Sequence, residues 1–195
     1  DHTGSIAVAD ITPTGFYFKP DGTKVYVTGQ ANDRVHQFTV SPAWDVQSLS
    51  LDGSFSISAQ QTAATGVEFK SDGTKMFVTG ATRIDEYRLS EAWNVSTSVH
   101  LTGYTGNIVN TNGGFRFGDS GNVQYLGLAQ FVERRRLTTP WDSNTTTQSG
   151  STSVPRDIST REFTWYDTGF NTDQIHAMFV DEDTYGNIIL ISTCD

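Results

Sequence analysis

Cysteine is almost absent from this sequence. Cys194 stands alone, which excludes an internal disulfide and any cysteine-built metal site. Basic residues are also scarce: 13 Lys and Arg against 22 Asp and Glu give a formal net charge of −9. A surface that neutralises nucleic-acid phosphates needs a basic stripe, and the one basic run, Arg134-Arg135-Arg136, is too short to supply it. No nucleic-acid partner is therefore expected. Long apolar runs are missing too. None approaches the roughly 20 residues that span a bilayer as a helix, so no membrane insertion is expected. No secretory signal is visible, and a chain that begins at Asp1 instead of Met reads as processed or partial. The four histidines, His2, His36, His100 and His176, show no metal-ligand spacing. No Gly-x-Ser-x-Gly elbow or Ser-His-Asp order occurs.

What is present suits strands and turns. Hydrophobic residues make up 36% and aromatics 12%, enough for an ordered core, and Thr, Ser and Gly are abundant. A chain of 195 residues is long enough to bury a core, and the expectation is a single domain over 1–195.

The dominant signal is internal repetition. Residues 14–29, TGFYFKPDGTKVYVTG, recur at 65–80 as TGVEFKSDGTKMFVTG. Each copy carries a tail, FTVSPAWDV at 38–46 and YRLSEAWNV at 87–95. A third, eroded copy keeps Gly114-Phe115-Arg116-Phe117-Gly118-Asp119-Ser120-Gly121 and the tail Thr138-Thr139-Pro140-Trp141-Asp142. A fourth, partial copy runs from His176 to Val180 and again over Asn187–Ile191.

Within each copy the first strand alternates: Phe16/Phe18, Val67/Phe69, Phe115/Phe117 and Met178/Val180 are apolar, with variable residues between. That period of two predicts a strand with one face always buried. Asp-Gly predicts a hairpin turn, since Gly accepts a positive φ. The second strand, Val25-Tyr26-Val27 or Met76-Phe77-Val78, reads as buried on both faces. A third strand alternates through His36/Phe38/Val40, Asp85/Tyr87/Leu89 and Glu133/Arg135/Leu137. A fourth is expected at Ser54–Ser58 in the first copy and at Glu162–Tyr166 in the third.

Four strands per fifty or so residues is the spacing of a β-propeller blade. The expectation is an all-β, propeller-like array of about four blade units, at 11–61, 62–110, 111–167 and 168–195. Ser5-Ile6-Ala7-Val8 aligns with a fourth strand, so residues 1–10 are expected to complete the last blade or to pair with a neighbouring chain.

These motifs resemble the propeller-type repeats of phage and environmental-virus structural proteins and of some bacterial surface proteins. The resemblance covers residues 5–103 well and 104–195 loosely, the third copy having lost Lys-Thr at its turn. It implies a non-catalytic display domain of an extracellular or virion assembly, such as a decoration, tail or fibre protein. Its implied partners are other virion or surface proteins and further copies of itself.

Candidate sites are few. Asp181 and Asp183 stand at alternate positions ahead of Gly186, as at the start of a Ca2+ loop, but the distal bidentate Glu is missing and the segment sits where the other copies have their Asp-Gly turn, the reading the repeat favours. Trp44, Trp93 and Trp141 recur in one frame. Their rings suit stacking on sugars, and their periodic recurrence suits packing between neighbouring blades. Asn94-Val95-Ser96 and Asn144-Thr145-Thr146 match the N-glycosylation triplet. No other cofactor is expected. Two further functions stay open: a carbohydrate- or receptor-binding adhesin, which needs exposed aromatics on one face, and a propeller glycosidase or lyase, which needs two carboxylates about 5–10 Å apart.

Overall fold

A computed structural model describes residues 12–105, 115–128, 131–147, 179–182 and 188–191. The chain divides into two units, Asp1–Tyr104 and Thr105–Asp195.

The first unit holds two four-stranded antiparallel sheets of the same design. One is β1 (Pro13–Phe18), β2 (Lys24–Gly29), β3 (Arg34–Val40) and β4 (Leu49–Ser56). The other is β5 (Ala64–Phe69), β6 (Lys75–Gly80), β7 (Ile84–Leu89) and β8 (Ser98–Tyr104). Both are meanders in chain order. Even their irregularities match: the first pair slips register at Pro13/Gly15 and Ala64/Gly66, and the last pair at Gln37/Phe38 and Glu86/Tyr87. The second unit carries β9 (Phe115–Gly118), β10 (Val123–Leu128), β11 (Phe131–Leu137) and β12 (Thr146–Thr147), paired in the same sequence. It also has a hairpin of β13 (Phe179–Glu182) and β14 (Ile188–Ile191). The fold is all-β, an array of propeller-type blades.

The fourth strands correct the expected positions. They begin at Leu49, Ser98 and Thr146, each directly after a short 3-10 turn at Val46–Ser48, Val95–Thr97 or Ser143–Thr145. The turn folds the Trp tail straight back onto strand three, so the fourth strand starts earlier than Ser54. In the third copy it lies well before Glu162–Tyr166, a segment outside the described residues. Residues 1–11 are also outside them.

The first strand departs from simple alternation. Tyr17 and Glu68, expected to vary freely, are buried, whereas Phe16 is exposed. The reason is that blades stack, so an inner strand has a neighbour on either face. Tyr17 and Tyr26 of the first blade share one core with Val67, Phe69, Met76, Val78 and Tyr87 of the second. Gly15 is needed for this approach, because a Cβ there would lie 2.6 Å from the Gly66 Cα. Three polar contacts cross the same seam. Thr14 Oγ1 donates to the Ala64 carbonyl at 2.6 Å, Tyr26 Oη donates to the Trp93 carbonyl at 2.7 Å, and Val95 N–H donates to Gln37 Oε1 at 2.9 Å. A buried phenol left without its acceptor would be costly, so Tyr26 fits only against a neighbour offering that carbonyl.

The Asp-Gly turns are equivalent and four-residue in span, closed by Gly22 N–H to Lys19 O and Gly73 N–H to Lys70 O, each at 2.8 Å. Only the glycines take the left-handed region, at φ 71° and 73°. Asp21 Oδ1 accepts from Thr23 N and Thr23 Oγ1 at 3.0 and 2.6 Å, and Asp72 repeats both bonds with Thr74. Lys19 and then Thr23 hold the Asp21 carboxyl well below the usual range. At Asp72 burial pushes upward, but the Lys70 and Thr74 hydrogen bonds outweigh it and leave the group at about 2.

A carboxyl depressed in the folded state stabilises the fold above its ordinary pKa, and that stability is lost as pH falls through the folded value. The Asp72 contribution is therefore present above about pH 4 and fades toward pH 2. The pair is half exposed, so its size is a few tenths of a kcal/mol. Asp72→Asn should flatten the acid limb by that amount, read from thermal melts at pH 4 and pH 2.

Candidate functional site

The three recurring tryptophans form one device with the turn glycines. Trp44, Trp93 and Trp141 all sit in the left-handed region, at φ 68°, 66° and 61°. Their backbone N–H groups donate to the carbonyls of Gly22, Gly73 and Gly121 at 3.0, 3.0 and 2.9 Å. Each indole then lies over its glycine so closely that a Cβ would come within 2.3–2.4 Å of ring atoms. The other contact is the last aromatic of strand one: Phe18–Trp44 at 5.4 Å, Phe69–Trp93 at 5.4 Å and Phe117–Trp141 at 4.7 Å between centroids. The following Asp45, Asn94 or Asp142 caps the 3-10 turn by accepting from the N–H two residues on. Asp-Gly and Trp-Asp/Asn, far apart in sequence, thus close each blade as a clasp. Asn94, one of the two glycosylation candidates, is engaged in that cap.

Trp93 also stacks on Tyr17 of the first blade, 6.3 Å between centroids with planes 17° apart. Trp44 touches its own blade and is otherwise exposed.

Of the two calcium candidates only one lies among the described residues. Asp181 lies in the backbone of β13, paired with Ile189, and Asp183 falls outside the described residues. Among the described residues no cluster of three or more His, Cys, Asp or Glu side chains is placed to hold a metal.

A polar cluster that the motifs did not single out lies at strand three of the second blade. Asp85 is fully buried, and its Oδ1 accepts from Arg83 Nη2 at 2.5 Å and meets His100 Nε2 at 2.9 Å. Arg83 and His100 are each about a third exposed, and Gly103 leaves the space the pair occupies. Tyr87 packs edge-on against the His100 ring at 5.3 Å. Its phenol is pushed well above the usual value, first by burial and then by the Asp85 charge.

The signal was the alignment of His36, Asp85 and Glu133, a position polar in every copy. The chemistry differs by blade. In the first, Arg34 Nε donates to Ser54 Oγ at 3.0 Å, and in the third Glu133 holds the buried Arg135 through two bonds of 2.9 and 2.8 Å.

The Asp85–His100 pair resembles half of a nucleophile-activating relay, but no hydroxyl or thiol is hydrogen-bonded to His100 among the described residues. Asp85 and Glu86 cannot act as a glycosidase pair, because successive residues of a strand face opposite ways. Glu86 is moreover engaged by Lys75. The cluster's evident work is to tie the outer strand β8 to β7. Arg83→Met should therefore cost about 2–3 kcal/mol at neutral pH, somewhat under the usual loss for breaking a buried pair because Arg83 is part-exposed. Adding Asp85→Asn should recover much of it in urea denaturation.

No family model matches the sequence, and no curated protein matches it. Among solved structures the chain is similar to a functionally unknown protein from Desulfotomaculum acetoxidans, with TM-score 0.51 and 9% identity over 74% of this chain and 43% of that one. It is also similar to the periplasmic gluconolactonase of Pseudomonas aeruginosa (TM-score 0.49, 13% identity, 70% and 39% covered). A third is the hydrazine synthase of Kuenenia stuttgartiensis (TM-score 0.49, 10% identity, 71% and 36% covered). The chain spans about two fifths of the length of these proteins, and at such identities the likeness bears on fold alone.

Proposed function

We propose that this chain is a non-catalytic display or assembly domain of an extracellular structure, a virion decoration, tail or fibre protein in particular. One observation carries the reading: the residues that recur between copies are engaged in closing each blade and joining it to the next. Thr14 and Gly15 make the seam, Asp21 and Thr23 the turn, Gly22 and Trp44 the clasp, and Asp45 the cap. A sequence selected to keep these positions is selected for a repeating shape, and the acidic surface suits a soluble outer face. Cryo-electron microscopy of the native particle that contains this chain tests the proposal. Blade-array density on the particle's outer surface supports it. Recovery of the chain only in the free fraction, absent from every particle, overturns it.

A second reading is favoured by the exposure of Trp44 beside Phe18. An adhesin would stack a surface sugar on that free indole face. Glycan-array binding that is lost in Trp44→Ala, with the fold intact, would select it over display.

A further inference from the structure

Of the polar contacts that join the first two blades, the bond from Val95 N–H to Gln37 Oε1 depends on which way round an amide lies. An amide has one accepting end and one donating end, nearly equal in size. Gln37 and Val95 are buried, at 3% and 0% exposed, so neither exchanges this bond for one to water. A flipped Gln37 would set Nε2 against the Val95 N–H, two donors with no acceptor between them. That is a costly arrangement in a buried seam.

We propose that Asp52 is the residue that holds Gln37 in its joining orientation and so positions the joint between these two blades. Asp52 Oδ2 accepts from Gln37 Nε2 and from Lys24 Nζ, each at 2.6 Å. Lys24 and then Gln37 hold the Asp52 carboxyl below the usual carboxylate range, so it stays ionised and acts only as an acceptor. It can engage only the donating end of Gln37, which leaves Oε1 for Val95. The backbone aims Asp52 at this task. Gly53 and Leu51 of β4 pair with Gln37 and Phe38 of β3, and Asp52 is the extra residue of that bulge.

The second blade supplies the contrast. Its β8 has the same bulge opposite Glu86 and Tyr87, and the extra residue there is Leu101. Glu86 stands where the first blade has Gln37, and Lys75, the counterpart of Lys24, is bonded to Glu86 directly. A carboxylate presents an acceptor whichever way it turns and needs nothing to orient it. The blade with an amide on strand three has an orienting carboxylate at its bulge, and the blade with a carboxylate has leucine. This inference goes beyond the display reading and does not depend on it.

Amide hydrogen exchange of the full chain, resolved by NMR, tests the proposal. The quantity is the Val95 rate divided by the Leu89 rate, since Leu89 N–H is bonded within its own blade, to the Thr74 carbonyl. Asp52→Leu should raise this ratio about tenfold or more, as for loss of a hydrogen bond to a charged group. Adding Gln37→Glu copies the Glu86 and Leu101 pair of the second blade and should bring the ratio back close to native. If Asp52→Leu does not fold, Asp52→Ala takes its place in both variants. An unchanged ratio overturns the inference, whether the two rates hold or rise together, because Asp52 would then stabilise the fold in general. A double variant as fast at Val95 as the single one overturns it too, because orientation would not be what was lost.

Discussion

Trp93→Ala should lower the free energy of unfolding by about 3 kcal/mol, the low end of the range for truncating a large core aromatic, because Trp93 is partly buried against the core. The indole fills the space over Gly73 and joins Phe69, Tyr17 and Tyr26 across the seam between blades. Its removal opens a cavity that this rigid aromatic cluster cannot collapse to fill. Trp44→Ala, at the same place in the repeat, should cost only roughly 1–2 kcal/mol, because its outer face is already in solvent. Chemical denaturation of the two variants measures both. Equal losses would contradict the description of the first blade's face as open.

Gly73→Ala is expected to be comparably damaging, by about 2–5 kcal/mol. Two costs combine. A residue with a Cβ loses roughly 1–2 kcal/mol in the left-handed region that Gly73 occupies at φ 73°. The new methyl would also meet the Trp93 ring at 2.4 Å, an overpacking that typically costs 1–3 kcal/mol. The double variant Gly73→Ala with Trp93→Ala should lose less than the sum of the two, since truncating the indole removes the clash. Additive losses in a thermodynamic cycle would mean that the clasp is not one unit.

Much of this architecture was legible because it repeats. A spacing that recurs at about fifty residues revealed the first three strands, the turns and the number of described sheets. The fourth strands were displaced because their start depends on a capped 3-10 turn, and Asp45 or Asn94 reads in sequence as an ordinary polar residue. The burial of Tyr17 and Glu68 was not legible, because alternation describes one sheet with one core, whereas stacked blades bury both faces. The Gly–Trp clasp joins residues about twenty apart and requires a positive φ at both ends, which no composition or period reveals. Asp85 looked like a polar strand residue. Only the fold showed that Arg83 and His100 converge on it, the latter from a different strand.

Oxidative footprinting of the tryptophans tests the central claim most directly, because it reads each blade's face in the intact chain. The account predicts that Trp93 is protected at every concentration. Trp44, at 58% exposed, should react much faster. Protection of Trp44 equal to that of Trp93 would contradict the account, since the two clasps would then be equally enclosed.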